Sequence, residues 1–142
     1  MPGYDPNSPG LGNVGSYRVS GVPFVSASID LSSQPDDTPL VIEFPNVTRW
    51  IIVKNFGNSS DNSKQIKVGV SEVGLKNDNY FRVNDNYTGA PGLRDGQTPR
   101  LELKLTRLYL TGSSDNVEVL AGLTGIHTSS ILDNWSGSTG VG

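Results

Sequence analysis

Residues 101–126 read L-E-L-K-L-T-R-L-Y-L-T-G-S-S-D-N-V-E-V-L-A-G-L-T-G-I, and the reading of this stretch decides the fold class. Leu101, Leu103 and Leu105 alternate with Glu102 and Lys104. Side chains two apart in a strand share a face, so the alternation predicts a half-buried strand. Leu108 and Leu110 then fall on the opposite parity. A slip of one residue would turn these leucines outward unless the chain absorbs it. Thr106-Arg107 is therefore expected to be a bulge or a corner between two strands. Residues 111–116 make a Gly/Ser/Asp/Asn turn, after which Val117, Val119, Ala121 and Leu123 alternate again. Two strands joined by a polar turn predict a hairpin with one apolar face. That face needs a second layer, which the remaining chain has to supply.

Working outward, 142 residues are expected to form one domain with a core large enough to fold without staples. The absence of cysteine excludes disulfides and thiol chemistry. Seventeen glycines and nine prolines predict a turn-rich chain without long helices. A net charge of −3 offers no field for a polyanion, which disfavours nucleic-acid binding. No apolar run approaches the roughly 18 residues that a membrane span needs. The opening M-P-G-Y-D-P lacks a basic-then-apolar pattern, so no secretory signal is expected.

Residues 1–20 are poor in aliphatic side chains and rich in Gly and Pro, which is expected either of a disordered tail or of an arm that orders against a neighbouring subunit. Tyr4, Leu11, Val14, Tyr17 and Val19 suit an arm that orders against a neighbouring subunit better than a plain spacer. Residues 22–31 and 47–56 read as strands with apolar groups on both parities. A sheet in a monomeric sandwich usually keeps one wet face, so the first is expected to be buried on both faces or to lie under an arm, and the second has both faces apolar in its middle. By position alone, Trp50 reads as core. Shorter strands are expected at 40–44, 65–71 and 80–83. Pro35-Asp36-Asp37 reads as a turn, 72–79 as a loop and 84–97 as a long connection. Seven or eight short strands without a helical period predict an antiparallel sandwich or barrel. Periodicity alone does not separate a jelly roll from an immunoglobulin-like sandwich.

Catalytic chemistry is sparse. The single histidine, His127, has no Ser/Asp constellation around it. A zinc site would need more nitrogen and sulfur ligands than the chain supplies. Neither a glycine-rich phosphate loop nor a Walker lysine is present. Glu43, Glu102 and Glu118 fall at outward strand positions, which argues against a paired-carboxylate glycosidase. The triplets Asn77-Asp78-Asn79 and Asn84-Asp85-Asn86 could offer oxygen ligands to calcium, and polar turns explain them equally. Trp50, Tyr80, Tyr87 and Trp135 could stack against sugar rings, beside Asn/Asp-rich loops. No enzymatic role and no cofactor or metal is expected.

Three segments carry a resemblance: G-N-V-G-S-Y-R-V-S-G-V-P-F (12–24), E-F-P-N-V-T-R-W-I-I-V-K-N (43–55) and V-E-V-L-A-G-L-T-G-I (117–126). Together they resemble the penton proteins, single jelly rolls at the capsid vertices of large icosahedral DNA viruses of the algal-virus and iridovirus type. The loops at 55–79 and 84–99 show no such match. The resemblance implies an all-β, eight-stranded antiparallel jelly-roll sandwich over 22–126, an N-terminal arm over 1–21 and a C-terminal extension over 127–142. It implies a structural capsid subunit that forms a pentamer at the fivefold vertex of the virion, in contact with neighbouring major and minor capsid proteins and not inserted in a membrane. Tyr17, Arg18, Trp50 and Trp135 are the candidate subunit-interface residues. A carbohydrate- or receptor-binding jelly-roll module, such as a spike head, is the alternative.

Overall fold

The computed structural model describes residues 22–34, 38–87, 95–130, 137–138 and 140–142. The expected turn at Pro35-Asp36-Asp37 lies outside them. In chain order the described elements are β1 (Val22–Ile29), β2 (Leu40–Glu43), β3 (Asn46–Asn55), β4 (Ile66–Gly69), α1 (Glu72–Lys76), β5 (Tyr80–Val83), β6 (Arg107–Gly112), β7 (Val117–His127) and a 3-10 turn (Thr128–Ser130). The chain is all-β and antiparallel. One sheet has the order β1-β7-β3 and the other β2-β6-β4-β5. Their apolar faces share one core, in which Ile51, Val53, Val117, Val119 and Ala121 of the first sheet and Ile66, Val68, Leu108 and Leu110 of the second are fully buried.

The expected pairing of β6 with β7 is not formed. The two strands are consecutive but belong to different sheets, so Leu108 and Leu110 share a core with Val117 and Val119 without pairing to them. Burying two apolar faces against one another supplies the second layer that a flat hairpin would have lacked. The connection between them is tied to other loops: Leu31 N–H donates to the Ser114 carbonyl (2.8 Å) and Phe56 N–H to that of Asn116 (2.8 Å).

The parity slip at Thr106-Arg107 is a corner. On one side Thr48 N–H of β3 donates to the Leu105 carbonyl (3.0 Å). On the other, Arg107 pairs with Glu43 of β2. The chain thus changes sheets between 105 and 107, and Leu105 and Leu108 are buried on either side of the crossing. Residues 101–105 do not form the regular strand that their alternation suggests. Residues 96–105 instead follow β3 irregularly, with single bridges at Gln97–Lys54 and Leu101–Ile51. Among the described residues there are seven regular strands.

Two further readings are corrected. In β1 the register against β7 shifts between Ser26 and Ile29, and Ser28 adopts φ 56°. This bulge inverts the parity. Phe24 before it, and Ile29 and Leu31 after it, therefore reach the same core, and the strand is not buried twice. Phe24 packs edge-on against Phe44, with ring centroids 5.0 Å apart. The loop expected at 72–79 contains α1. Ser71 caps it, its Oγ accepting from Gly74 N–H at 2.9 Å, and Lys76 reaches back to Glu72 (3.1 Å). A helix of five residues is too short to leave a period in the sequence. Gly69 lets it sit on the sheet, because a Cβ there would lie 3.1 Å from Leu75 Cδ1.

Candidate interaction surfaces

The outer faces of the two sheets differ in chemistry. On the three-stranded sheet, alternation with the buried residues sends Pro23, Val25, Leu120, Gly122, Trp50 and Ile52 outward. The register aligns Pro23, Gly122 and Trp50 in one row across the strands and Val25, Leu120 and Ile52 in the next. Trp50, Ile52 and Leu120 are half-buried, and Val25 is 66% exposed. Lys54 opposite Glu118 closes this apolar band at one end. Trp50 is therefore not core. It stands on an outer face opposite a glycine, which leaves room for its ring.

The flanks of the sandwich are sheet edges. One carries β1 and β2, with Val22 and Val41 exposed. The other carries β5 and the irregular residues 96–105. Between them opens a groove of about 410 Å³ lined by Phe81, Val83, Gln97, Thr98, Leu101 and Leu103, among others. Leu103 is 36% exposed there.

The outer face of the four-stranded sheet is polar. Arg107 pairs with Glu43 (3.6 Å), and Lys67 of β4 lies directly opposite Arg82 of β5. Lys67 Nζ stands 4.6 Å from the centroid of the Tyr80 ring and the Arg82 guanidinium 5.5 Å from it. Sequence reading singled out Tyr80. It missed the two cations, because only the β4–β5 register brings them together.

The remaining candidates occupy structural places. Glu102 lies between Arg49 (3.7 Å) and Arg100 (2.7 Å). His127 is exposed at the end of β7, opposite Asn46. Asp78 is exposed, whereas Asp85 is buried and accepts from the Ser59 hydroxyl. Asn79 bonds the carbonyls of Ser138 and Val141, and Asn84 Oδ1 accepts from Asn62 and Gln65. The two Asn-Asp-Asn triplets thus serve loop closure at separate places. Among the described residues no three His, Cys, Asp or Glu side chains cluster as a metal site. The carboxyls of Asp30 and Asp61 are held below the usual range, first by the hydroxyls of Ser32 and Ser63 and then by the backbone amides of the same residues. Tyr17, Arg18 and Trp135 lie outside the described residues. Among the described residues no helix is long and apolar enough to cross a membrane.

Comparison with protein-family models, with curated proteins and with solved structures found no match.

Proposed function

We propose that the chain is a structural subunit of a viral capsid, a single jelly roll that closes into a ring of five at an icosahedral vertex. Counting residues 96–105 as an irregular eighth strand beside β3 makes both sheets four-stranded. Successive strands then alternate between the sheets, except for the β4–β5 pair, which is how a jelly roll winds. The sequence segments that resemble penton proteins point the same way.

The observation that carries the reading is the apolar band around Val25, Leu120, Trp50 and Ile52. An antiparallel sandwich commonly keeps its outer faces polar, so an apolar band there favours a face that a neighbour covers. Three strands about 4.8 Å apart and two side-chain rows give a band of only about 200 Å². A stable contact covers about 800 Å² on each partner, so the flanks must contribute as well. The flanks differ, and two unlike surfaces meeting head to tail close a ring when the rotation between copies allows it. The net charge of −3 keeps repulsion among crowded copies small.

Electron microscopy of the purified full chain tests this. Rings with fivefold symmetry are expected. Rings of another order, or isolated particles at every concentration, would refute it.

A further inference from the structure

We propose that the outer face of the four-stranded sheet binds an acidic saccharide, in the cleft between that face and α1. The proposal stands apart from the assembly reading, which uses the other sheet and the flanks.

The cleft has a volume of about 370 Å³, and Lys67, Leu75, Lys76, Asp78, Tyr80 and Thr111 supply most of its lining. That size falls in the range of about 300–1,000 Å³ typical of small-ligand sites. Its most telling feature is a conflict of charge. Lys67 and Arg82 are direct cross-strand neighbours. Like charges placed so disfavour the pairing. Among the described residues neither cation has a carboxylate partner. Both turn instead to Tyr80, through its ring face and through an Arg82 Nη2–H bond to the phenol oxygen (3.3 Å). Of the two carboxylates that line the cleft, Glu72 is engaged by Lys76 and Asp78 is exposed. Lys67 and Tyr80 line the cleft and Arg82 stands just beyond it, at the flank groove, so an anionic group at the Tyr80 end of the cleft would relieve the repulsion and gain charge-assisted hydrogen bonds.

The rest of the lining says what carries the anion. The Tyr80 ring offers apolar surface to the C–H face of a sugar ring, and Thr111 and Asp78 offer partners to its hydroxyls. A nucleic-acid backbone fits poorly, because it needs an extended basic field and the chain is net acidic. The anion on the sugar is a carboxylate or a sulfate, and the chemistry of the cleft serves both.

Titration calorimetry and amide NMR on the full chain test the site. The probes are a sulfated tetrasaccharide, an oligogalacturonate of equal length, neutral maltotetraose and sodium sulfate. At least one acidic oligosaccharide should bind tenfold or more tightly than maltotetraose, and the tighter of the two identifies the anion. The amide shifts should centre on 67–69, 80–82 and 111. Lys67→Ala and Arg82→Ala should each weaken binding about tenfold, with the melting temperature checking that each variant is folded. Tyr80→Ala should weaken binding of the oligosaccharide more than that of sulfate. Equal binding of acidic and neutral sugars, no binding at all, competition by sodium sulfate at the same affinity as the saccharide, or undiminished binding by the Lys67 and Arg82 variants would overturn the proposal.

Discussion

Thr48, Thr98 and Thr124 hold three places where β3 departs from a regular ladder. Thr48 Oγ1 donates to the Leu103 carbonyl (2.6 Å) and accepts from Leu105 N–H (2.8 Å). Thr98 Oγ1 accepts from Val53 N–H (3.0 Å), and Thr124 Oγ1 donates to the Val47 carbonyl (2.7 Å). In each case a hydroxyl stands in for a backbone partner where the ladder is irregular. Asn55 does the same for the loops: Nδ2 donates to the Lys64 carbonyl (2.8 Å), and Oδ1 accepts from Gly57 N–H (3.0 Å) and the Ser114 hydroxyl (2.6 Å). Thr48→Val keeps the shape and strands the buried Leu105 N–H and the part-buried Leu103 carbonyl. It should cost about 1–3 kcal/mol, read as a lower urea midpoint at unchanged slope. Asp30 supplies a prediction in pH. Its folded pKa is lowered, so the stability it contributes is complete above its ordinary value of 3.8 and is lost as pH falls through the folded value. Ser32→Ala removes the largest cause, and an NMR titration should show the Asp30 pKa rising towards 3.8.

At the scale of elements, edges and corners hold the two sheets together. Residues 96–105 lie against β3 because Gly96 has no side chain; a Cβ there would meet the Asn55 carbonyl oxygen at 2.2 Å. Gly96→Ala should push this segment off β3. Hydrogen exchange at Thr98 and Leu101 should quicken while the β7 amides stay protected. The seven regular strands among the described residues were legible in the sequence, because alternation is a local signal, whereas the alternation at 101–105 suggested one that does not form regularly; the slip at Thr106-Arg107 was visible as a bulge or a corner. The partner of each strand was not. β6 and β7 look like a hairpin from their spacing alone, since a short polar turn can join two strands within a sheet or across a core. The doubled parity of β1 was visible, but its cause, a bulge at Ser28, depends on backbone φ. Lys67 and Arg82 lie fifteen positions apart in the sequence and meet only through the β4–β5 register.

For the whole molecule, the two outer faces give the sandwich a direction. One carries an apolar band that ends at Lys54 and Glu118; the other is polar and carries the cationic pair at Tyr80. The assembly account predicts that a charge in the apolar band blocks association without harming the fold. Val25 suits this test because it is 66% exposed and stands on β1, an edge strand, where a lysine discourages strand-to-strand contact. Val25→Lys should change monomer stability by no more than about 0.5 kcal/mol. Sedimentation velocity of the wild-type chain and Val25→Lys, over a concentration series, is the most direct measurement. The account predicts a closed ring of five for the wild type and a folded monomer for the variant. A wild type that stays monomeric, or a variant that assembles equally well, would contradict it.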